Sequence, residues 1–297
     1  MRRLQDIQIR DPFVLPLPGE GWYHLFGSTD ANCWSGPATG FDRYRSRDLV
    51  EWEGPFPAFR APEGFWSATQ FWAPEVHRYR DRCYLFASFK SPERCRGVQI
   101  LVADHPERPF VVHSSQPVTP AAWECLDGTL HVDAAGQPWM VFCHEWVQVH
   151  DGEICAVRLS TDLTQALGEP VLLFRASAAP WALATAAGDR ITDGPFLQRC
   201  EDGSLLMLWS SLGAHGYAMG VANSPTGSIL GPWRQQAEPV YARDGGHGML
   251  FSDFAGHLQL AIHTPNDTPN ERPVFLATEI FAGGLRVIAG AAGSTSA

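Results

Sequence analysis

Short apolar runs recur along this chain at a nearly even spacing, each closed off by turn residues. The clearest lie at 22–26, 83–87, 139–142, 205–209 and 258–262, and each is partly aromatic or β-branched. Turn-forming clusters precede them: Pro-Gly-Glu-Gly at 18–21, Arg-Asp-Arg at 80–82, Ala-Ala-Gly-Gln at 134–137, Glu-Asp-Gly-Ser at 201–204 and Ala-Gly-His at 255–257. Such runs read as the second strands of tight hairpins. Third strands follow at 42–46, 98–103, 154–160, 217–223 and 274–280, and a fourth, outer strand is expected after each, with Trp52 and Trp233 near two of those edges. No stretch has the 3.6-residue period of a long amphipathic helix. Residues 176–188 are alanine-rich but carry Pro180 and Trp181, which makes them a loop with at most one helical turn. The Gly, Ala and Ser tail at 290–297 is expected to be disordered. Nothing divides residues 1–289 into two domains.

Before each hairpin stands a short polar segment with one acid or histidine. These are Asp11, Glu75, Asp127, Asp193 and His247, separated by 64, 52, 66 and 54 residues. A spacing near the size of a four-stranded blade, met five times, predicts an all-β protein: a single-domain, five-bladed β-propeller. The inner strand of a blade starts at one face of a propeller, and the second strand returns to that face. Residues at strand-one starts and strand-two ends therefore gather in one central pocket. The five marked residues belong there, with strand-two ends at 28–30, 88–90, 144–146, 210–211 and 263–266. Trp34, Trp66, Phe71, Trp72, Trp146 and Trp181 are candidate walls.

Composition narrows the function. The chain has 297 residues, 45% hydrophobic and 18% charged, with a formal net charge of −10. A basic footprint for nucleic acid is missing, and no apolar run is long enough to span a membrane. The charge is compatible with a neutral substrate such as a sugar. Seven cysteines, an odd count without a Cys-x-x-Cys pair, favour reduced structural thiols over a disulfide framework or zinc site. The N-terminus has no signal-like apolar core, which points to the cytoplasm, or to secretion where a leader has been removed. Oligomeric state is not legible.

A lone Asp before a strand is ordinarily a turn residue. Several carboxylates brought to one axis are different, because mutual repulsion must be met by protons, cations or a function. A carboxylate pair across a concave, aromatic-lined pocket suits cleavage of a glycosidic bond. One protonated carboxyl donates to the leaving oxygen while an ionised one activates water on the opposite face, at a separation of roughly 6.5–9.5 Å in inverting enzymes. A third carboxylate can tune the acid.

In order and spacing, the chain resembles glycoside hydrolase family 43, whose members are five-bladed propellers that cleave arabinose, xylose or galactose linkages by inversion. The matching strings are Arg-Asp-Pro at 10–12, Trp-Ala-Pro-Glu at 72–75, Leu-Asp-Gly at 126–128, Asp-Gly-Pro-Phe-Leu at 193–197 and Gly-Gly-His-Gly at 245–248. The resemblance spans roughly residues 6–281. It implies that Asp11 is the general base and that Asp127 orients and tunes the acid. It also implies that His247 helps to hold a water-ligated metal, often calcium, although no cofactor is required for the chemistry. Glu75 stands where an aspartate that can contact substrate is usual. Asp193 departs from the pattern, since the family usually has its general-acid glutamate there. Either Asp193 is the acid, or the role has moved to Glu145 in Cys-His-Glu-Trp, with Glu124 a weaker alternative. Trp34, Trp72, Trp146, His144, His263 and Arg272 complete the candidate substrate contacts.

The expectation is an inverting, exo-acting glycosidase for terminal α-L-arabinofuranosyl or β-D-xylosyl units, with a galactosyl or galactofuranosyl unit as a further option. No long insertion builds an open groove, hence the exo mode. Two competitors stand beside it. One is a β-fructosidase-like propeller, which shares Arg-Asp-Pro at 10–12 and Glu-Cys at 124–125 but retains configuration. The other is an inactive sugar-binding propeller, suggested by the aspartate at 193.

Overall fold

In a computed structural model describing residues 1–288, the chain forms five sheets of four antiparallel strands. The 290–297 tail lies outside the described residues. Blade 1 comprises β1 (Arg10–Leu17), β2 (Trp22–Ser28), β3 (Phe41–Ser46) and β4 (Trp52–Phe59). Blade 2 comprises β5 (Thr69–Tyr79), β6 (Arg82–Ser91), β7 (Arg94–Ala103) and β8 (Val111–Val112). Blade 3 comprises β9 (Cys125–Val132), β10 (Pro138–His144), β11 (Glu153–Leu159) and β12 (Ala166–Arg175). Blade 4 comprises β13 (Asp193–Arg199), β14 (Leu205–Gly213), β15 (Gly216–Ser224) and β16 (Arg234–Gln235). Blade 5 comprises β17 (Gly246–Ser252), β18 (Leu258–Thr264), β19 (Arg272–Phe281) and β20 (Gly284–Val287). In every sheet the strands neighbour one another in sequence order, so each blade is a simple meander.

Both faces of a blade meet another blade, which is why the inner strands are apolar nearly throughout rather than alternating. Between blades 1 and 2, Phe41, Phe59, Phe71 and Phe89 interlock at centroid distances from 4.8 to 6.3 Å. Between blades 3 and 4, Trp181 and Phe174 close on Trp209 at 4.7 and 5.5 Å. The outer strands β8 and β16 shrink to two residues each. Such short edges leave little backbone free to pair with another chain.

Ring closure uses the N-terminal segment. Ile7 and Ile9 are fully buried in the core cluster shared by the first and last blades. Arg272 Nε donates to the Gln5 carbonyl at 2.8 Å, tying blade 5 to that segment. The single α-helix among the described residues, α1 (Trp146–Val149), is one turn long, and no helix there is long and apolar enough to cross a membrane. Within 176–188 the only regular element is the 3-10 turn Ala176–Ala178. All seven cysteines are unpaired, five of them buried.

Candidate active site at the end of the propeller axis

All five inner strands open with the same irregularity. The ladder between first and second strands breaks next to Arg10, Trp72, Leu126, Asp193 and Gly246. The residue after each takes the left-handed conformation: Asp11 at φ 54°, Ala73 at 48°, Asp127 at 57°, Gly194 at 54° and His247 at 42°. Bulges of this kind re-aim side chains and concentrate near active sites. Four of the five residues are not glycine, so the conformation carries strain that partners must offset.

Those partners come from the preceding blade. The Ala73, Asp127 and His247 amides each donate at 2.8 Å to a serine Oγ, on Ser28, Ser88 and Ser210 respectively. The Asp11 amide donates to His263 Nδ1 at 3.1 Å. Each acceptor lies at or within three residues of the end of a second strand. The equivalent position facing Gly194 is Cys143, paired with Leu126 as Ser88 is with Trp72. A thiol accepts weakly, and here the Gly194 amide donates to Asp127 Oδ2 instead, at 2.9 Å. Gly194 is also required sterically, since a Cβ there would sit 2.7 Å from the His247 ring.

This register corrects the reading of the repeat. Blades 2 and 4 place Ala73 and Gly194, not Glu75 and Asp193, where Asp11, Asp127 and His247 stand. Asp193 precedes its bulge and still faces the cavity, whereas Glu75 lies two residues past its bulge. The Glu75 carboxylate does not line the cavity. It bonds His77 Nε2 at 3.0 Å and reaches Asp127 only through its charge.

The cavity holds ≈ 220 Å³ and is lined by Asp11, Asp127, Asp193, Glu145, His247, Trp34, Trp72 and Trp146, together with Arg10, Tyr217, Asn266 and three further residues, Cys33, Leu126 and Ile191. Of the other expected contacts, His263 is fully buried behind Asp11. Its pKa is lowered to about 4, chiefly by burial. Being neutral, and accepting at Nδ1, it carries its proton on Nε2 and donates to Asn266 Oδ1 at 3.2 Å. His144 stacks on Trp123 and bonds Glu153 and Gln148, away from the cavity. Arg272 is spent on the carbonyls of Gln5, Pro269 and Glu271. Trp66, Phe71 and Trp181 are packed in the aromatic layers between blades rather than on the pocket wall.

Arg10 takes the place foreseen for Arg272. Its guanidinium bonds Glu271 at 2.9 Å and Asn266 at 2.7 Å and lies 4.7 Å from the Trp34 ring centre. Trp34 meets Trp72 edge-on at 5.1 Å, and Arg96 covers Trp72 at 3.6 Å. Arg96 Nε in turn reaches Glu145 Oε2 at 3.3 Å. One wall of the cavity is therefore a continuous Arg-Trp-Trp-Arg stack, with a buried carboxylate paired at each end. Arg10 stood inside the Arg-Asp-Pro string and its charge was the available signal. Asn266 closes the 263–266 strand-two end expected at the pocket, whereas Tyr217 had no such signal.

The three aspartates are biased in opposite directions. Burial opposes ionisation of Asp11, but His247 (Nδ1 to Oδ1, 3.1 Å), Arg10 and the Ser28 hydroxyl (2.7 Å) outweigh it, and the carboxyl is held below its ordinary range. Burial and the charge of Asp11 push Asp127 well above its ordinary range, against the Gly194 amide. Burial, then the charge of Asp127, raise Asp193 to about 7, against His247 and the Tyr217 hydroxyl. One carboxylate is thus kept ionised and another protonated in the same cavity, the division of labour that acid–base cleavage requires.

Ser28 tests the link between bulge and charge, because it accepts from Ala73 and donates to Asp11 at once. Ser28→Ala leaves a buried amide unpaired and is expected to cost about 1–3 kcal/mol, read as a lowered melting temperature. The ionised Asp11 loses a donor, so its pKa rises and the acid limb of kcat/KM moves to higher pH. An unchanged limb would show that the serine has no hold on Asp11.

A calcium ion held mainly by water needs few protein ligands, and no group of three or more His, Cys, Asp or Glu able to hold a metal occurs among the described residues. His247 lines the cavity with Nδ1 3.1 Å from Asp11 Oδ1.

Fold and pocket together define a propeller-type glycoside hydrolase. The chain belongs to glycosyl hydrolases family 43, whose family model matches residues 6–277. A solved structure described as endo-arabinase from Bacteroides thetaiotaomicron VPI-5482 is 40% identical, with a TM-score of 0.88, covering 95% of this chain and 98% of that one. The extracellular exo-α-(1→5)-L-arabinofuranosidase ArbA of Cellvibrio japonicus is 27% identical over 178 residues, 54% of this chain. The match covers 46% of ArbA, so the chain spans about half the length of that curated relative. An α-L-arabinofuranosidase from Lactobacillus brevis, 17% identical over 95% of this chain and 96% of its own, shares the fold at a TM-score of 0.73. Family membership displaces the fructosidase-like reading.

Proposed function

We propose that this protein is an inverting, exo-acting glycosidase that releases terminal α-L-arabinofuranosyl units from arabino-oligosaccharides. The observation that carries the reading is the pair of oppositely biased carboxyls, Asp11 and Asp193, lining one cavity. Asp11 takes a proton from water as that water attacks the anomeric carbon. Asp193 gives its proton to the departing glycosidic oxygen. Asp127 sits between them, bonded to the backbone that follows the acid. Arg10 and Asn266 offer polar contacts for ring hydroxyls, and the tryptophan wall offers apolar surface for a sugar face.

The exo mode is supported by size. A volume of ≈ 220 Å³ is small beside ordinary ligand pockets of roughly 300–1,000 Å³, which favours one terminal sugar unit over a run of them. The choice of arabinose over xylose rests on the relatives above, one described as an endo-arabinase and one as an exo-arabinofuranosidase. Digestion of linear α-1,5-linked arabino-oligosaccharides, followed by proton NMR, tests the whole reading. The expected product from the first minutes is free arabinose, appearing first as the β-anomer. An early ladder of shorter oligosaccharides overturns the exo mode. First release of the α-anomer overturns inversion, and a preference for xylo-oligosaccharides overturns the sugar.

A further inference from the structure

Tyr217 is the pocket residue that nothing in the reading so far uses. It is the second residue of β15, a third strand, yet its hydroxyl reaches the axis because the β14–β15 hairpin stays paired out to Gly213 and Gly216. The tyrosine is held along its whole length. Its amide donates to Asp244 Oδ1 at 3.2 Å, and its carbonyl accepts from the Gly245 amide at 2.9 Å. The ring stacks on His263 at 5.8 Å. It passes so close to Gly246 that a Cβ there would stand 2.9 Å from Cε1. At the end of this slot the hydroxyl donates to Asp193 Oδ2 at 2.9 Å.

We infer that Tyr217 is the positioning residue of the proton donor: by donating to Oδ2 of Asp193 it keeps the acid's proton on Oδ1. A protonated carboxyl has one carbonyl oxygen and one hydroxyl oxygen, and the oxygen that accepts a donor is the carbonyl. The proton on Oδ1 then passes to the glycosidic oxygen as the bond to the anomeric carbon breaks. Tyr217 keeps its own proton throughout and bonds the carboxylate that remains, a charge-assisted and stronger hydrogen bond. The surroundings keep it a donor. Burial, followed by the charges of Asp193, Asp11 and Asp127, holds the phenol well above its ordinary range, with Arg10 opposing. Facing Asp193 from the other elements are Asp127, His247, Glu145 and the Cys143 thiol. None of these is shown bonded to Asp193, which leaves Tyr217 as the donor that orients it.

The inference rests on Asp193 being the acid, and a double-mutant cycle separates the two claims. Wild type, Tyr217→Phe, Asp193→Asn and the double variant are compared for kcat on dinitrophenyl and phenyl α-L-arabinofuranosides. Tyr217→Phe removes one hydroxyl from a well-packed ring, and its thermal melt reports the fold directly. It is expected to lose about 10- to 100-fold on the phenyl substrate and at most a few-fold on the dinitrophenyl one, which needs little protonation. In the Asp193→Asn background the same change costs almost nothing, because its target is already gone. Equal loss on both substrates, or the same loss in both backgrounds, overturns the positioning role. A single Asp193→Asn variant that loses equally on both substrates overturns the acid assignment, and with it this inference, by a result of its own.

Discussion

Asp11→Asn lowers kcat/KM by a factor of about 10²–10⁴, the contribution of a positioned general base, while leaving the fold and sugar binding in place. The change is nearly isosteric. The backbone that holds Asp11 in its left-handed bulge donates to His263 and is untouched by the side chain. Ser28 still has an oxygen to donate to. What is lost is the negative charge that His247 and Arg10 stabilise, and an amide cannot take a proton from water. Titration with arabinose by calorimetry checks that binding survives, and progress curves on arabino-oligosaccharides read the rate. A variant that keeps more than a tenth of the activity removes Asp11 from the base role. If wild type is itself inert across aryl arabinofuranosides, xylosides and galactofuranosides while binding sugar tightly, the inactive-propeller reading takes over.

Much of the architecture is written in the sequence because blades are local. Each hairpin carries its own turn residues, and each second strand is apolar enough to be found alone; the structure only lengthens them, as with 139–142 becoming Pro138–His144. The axis is harder, because what repeats there is a backbone conformation and not a residue type. Asp11, Asp127 and His247 were found as polar markers. Ala73 and Gly194 occupy the same left-handed position with no polar side chain, so the nearest acids in sequence, Glu75 and Asp193, are the ones that mark those two blades. The interblade serines lay within the strand-two ends predicted to face the pocket. Their acceptor role shows only once the amides opposite them are placed. Tyr217 escaped because a third strand is not expected at the axis, and only the long β14–β15 pairing brings it there. Arg272 was a candidate substrate contact for its hydrogen-bonding charge, yet the buried Glu271 beside it pairs with Arg10 from the opposite end of the chain. Such a contact depends on ring closure, which no local pattern encodes.

The larger question left open by the sequence was whether Asp193 or Glu145 gives the proton, and the two side chains sit in opposite environments. Both line the cavity. Glu145 is tied to the Arg96 guanidinium, Nε to Oε2 at 3.3 Å. Asp193 faces Asp127 in a buried setting, is raised to about 7, and has no cation bonded to it except through space. Asp193→Ala is therefore expected to lose about 10²–10⁴-fold on a phenyl arabinofuranoside and far less on the dinitrophenyl compound. Glu145→Ala loses similar factors on both, because it disturbs the Arg96–Trp72 wall and not the proton. The pH dependence carries the same assignment. The active form has Asp11 ionised and Asp193 protonated, so kcat/KM falls as pH drops through the depressed pKa of Asp11 and falls again as pH rises through about 7. On the phenyl substrate that alkaline limb is lost from the residual activity of Asp193→Ala and persists in Glu145→Ala. The opposite pattern, with the limb and the leaving-group dependence both following Glu145, hands the acid role to Glu145 and leaves the aspartate at 193 as a spectator of the charge between Asp127 and Tyr217.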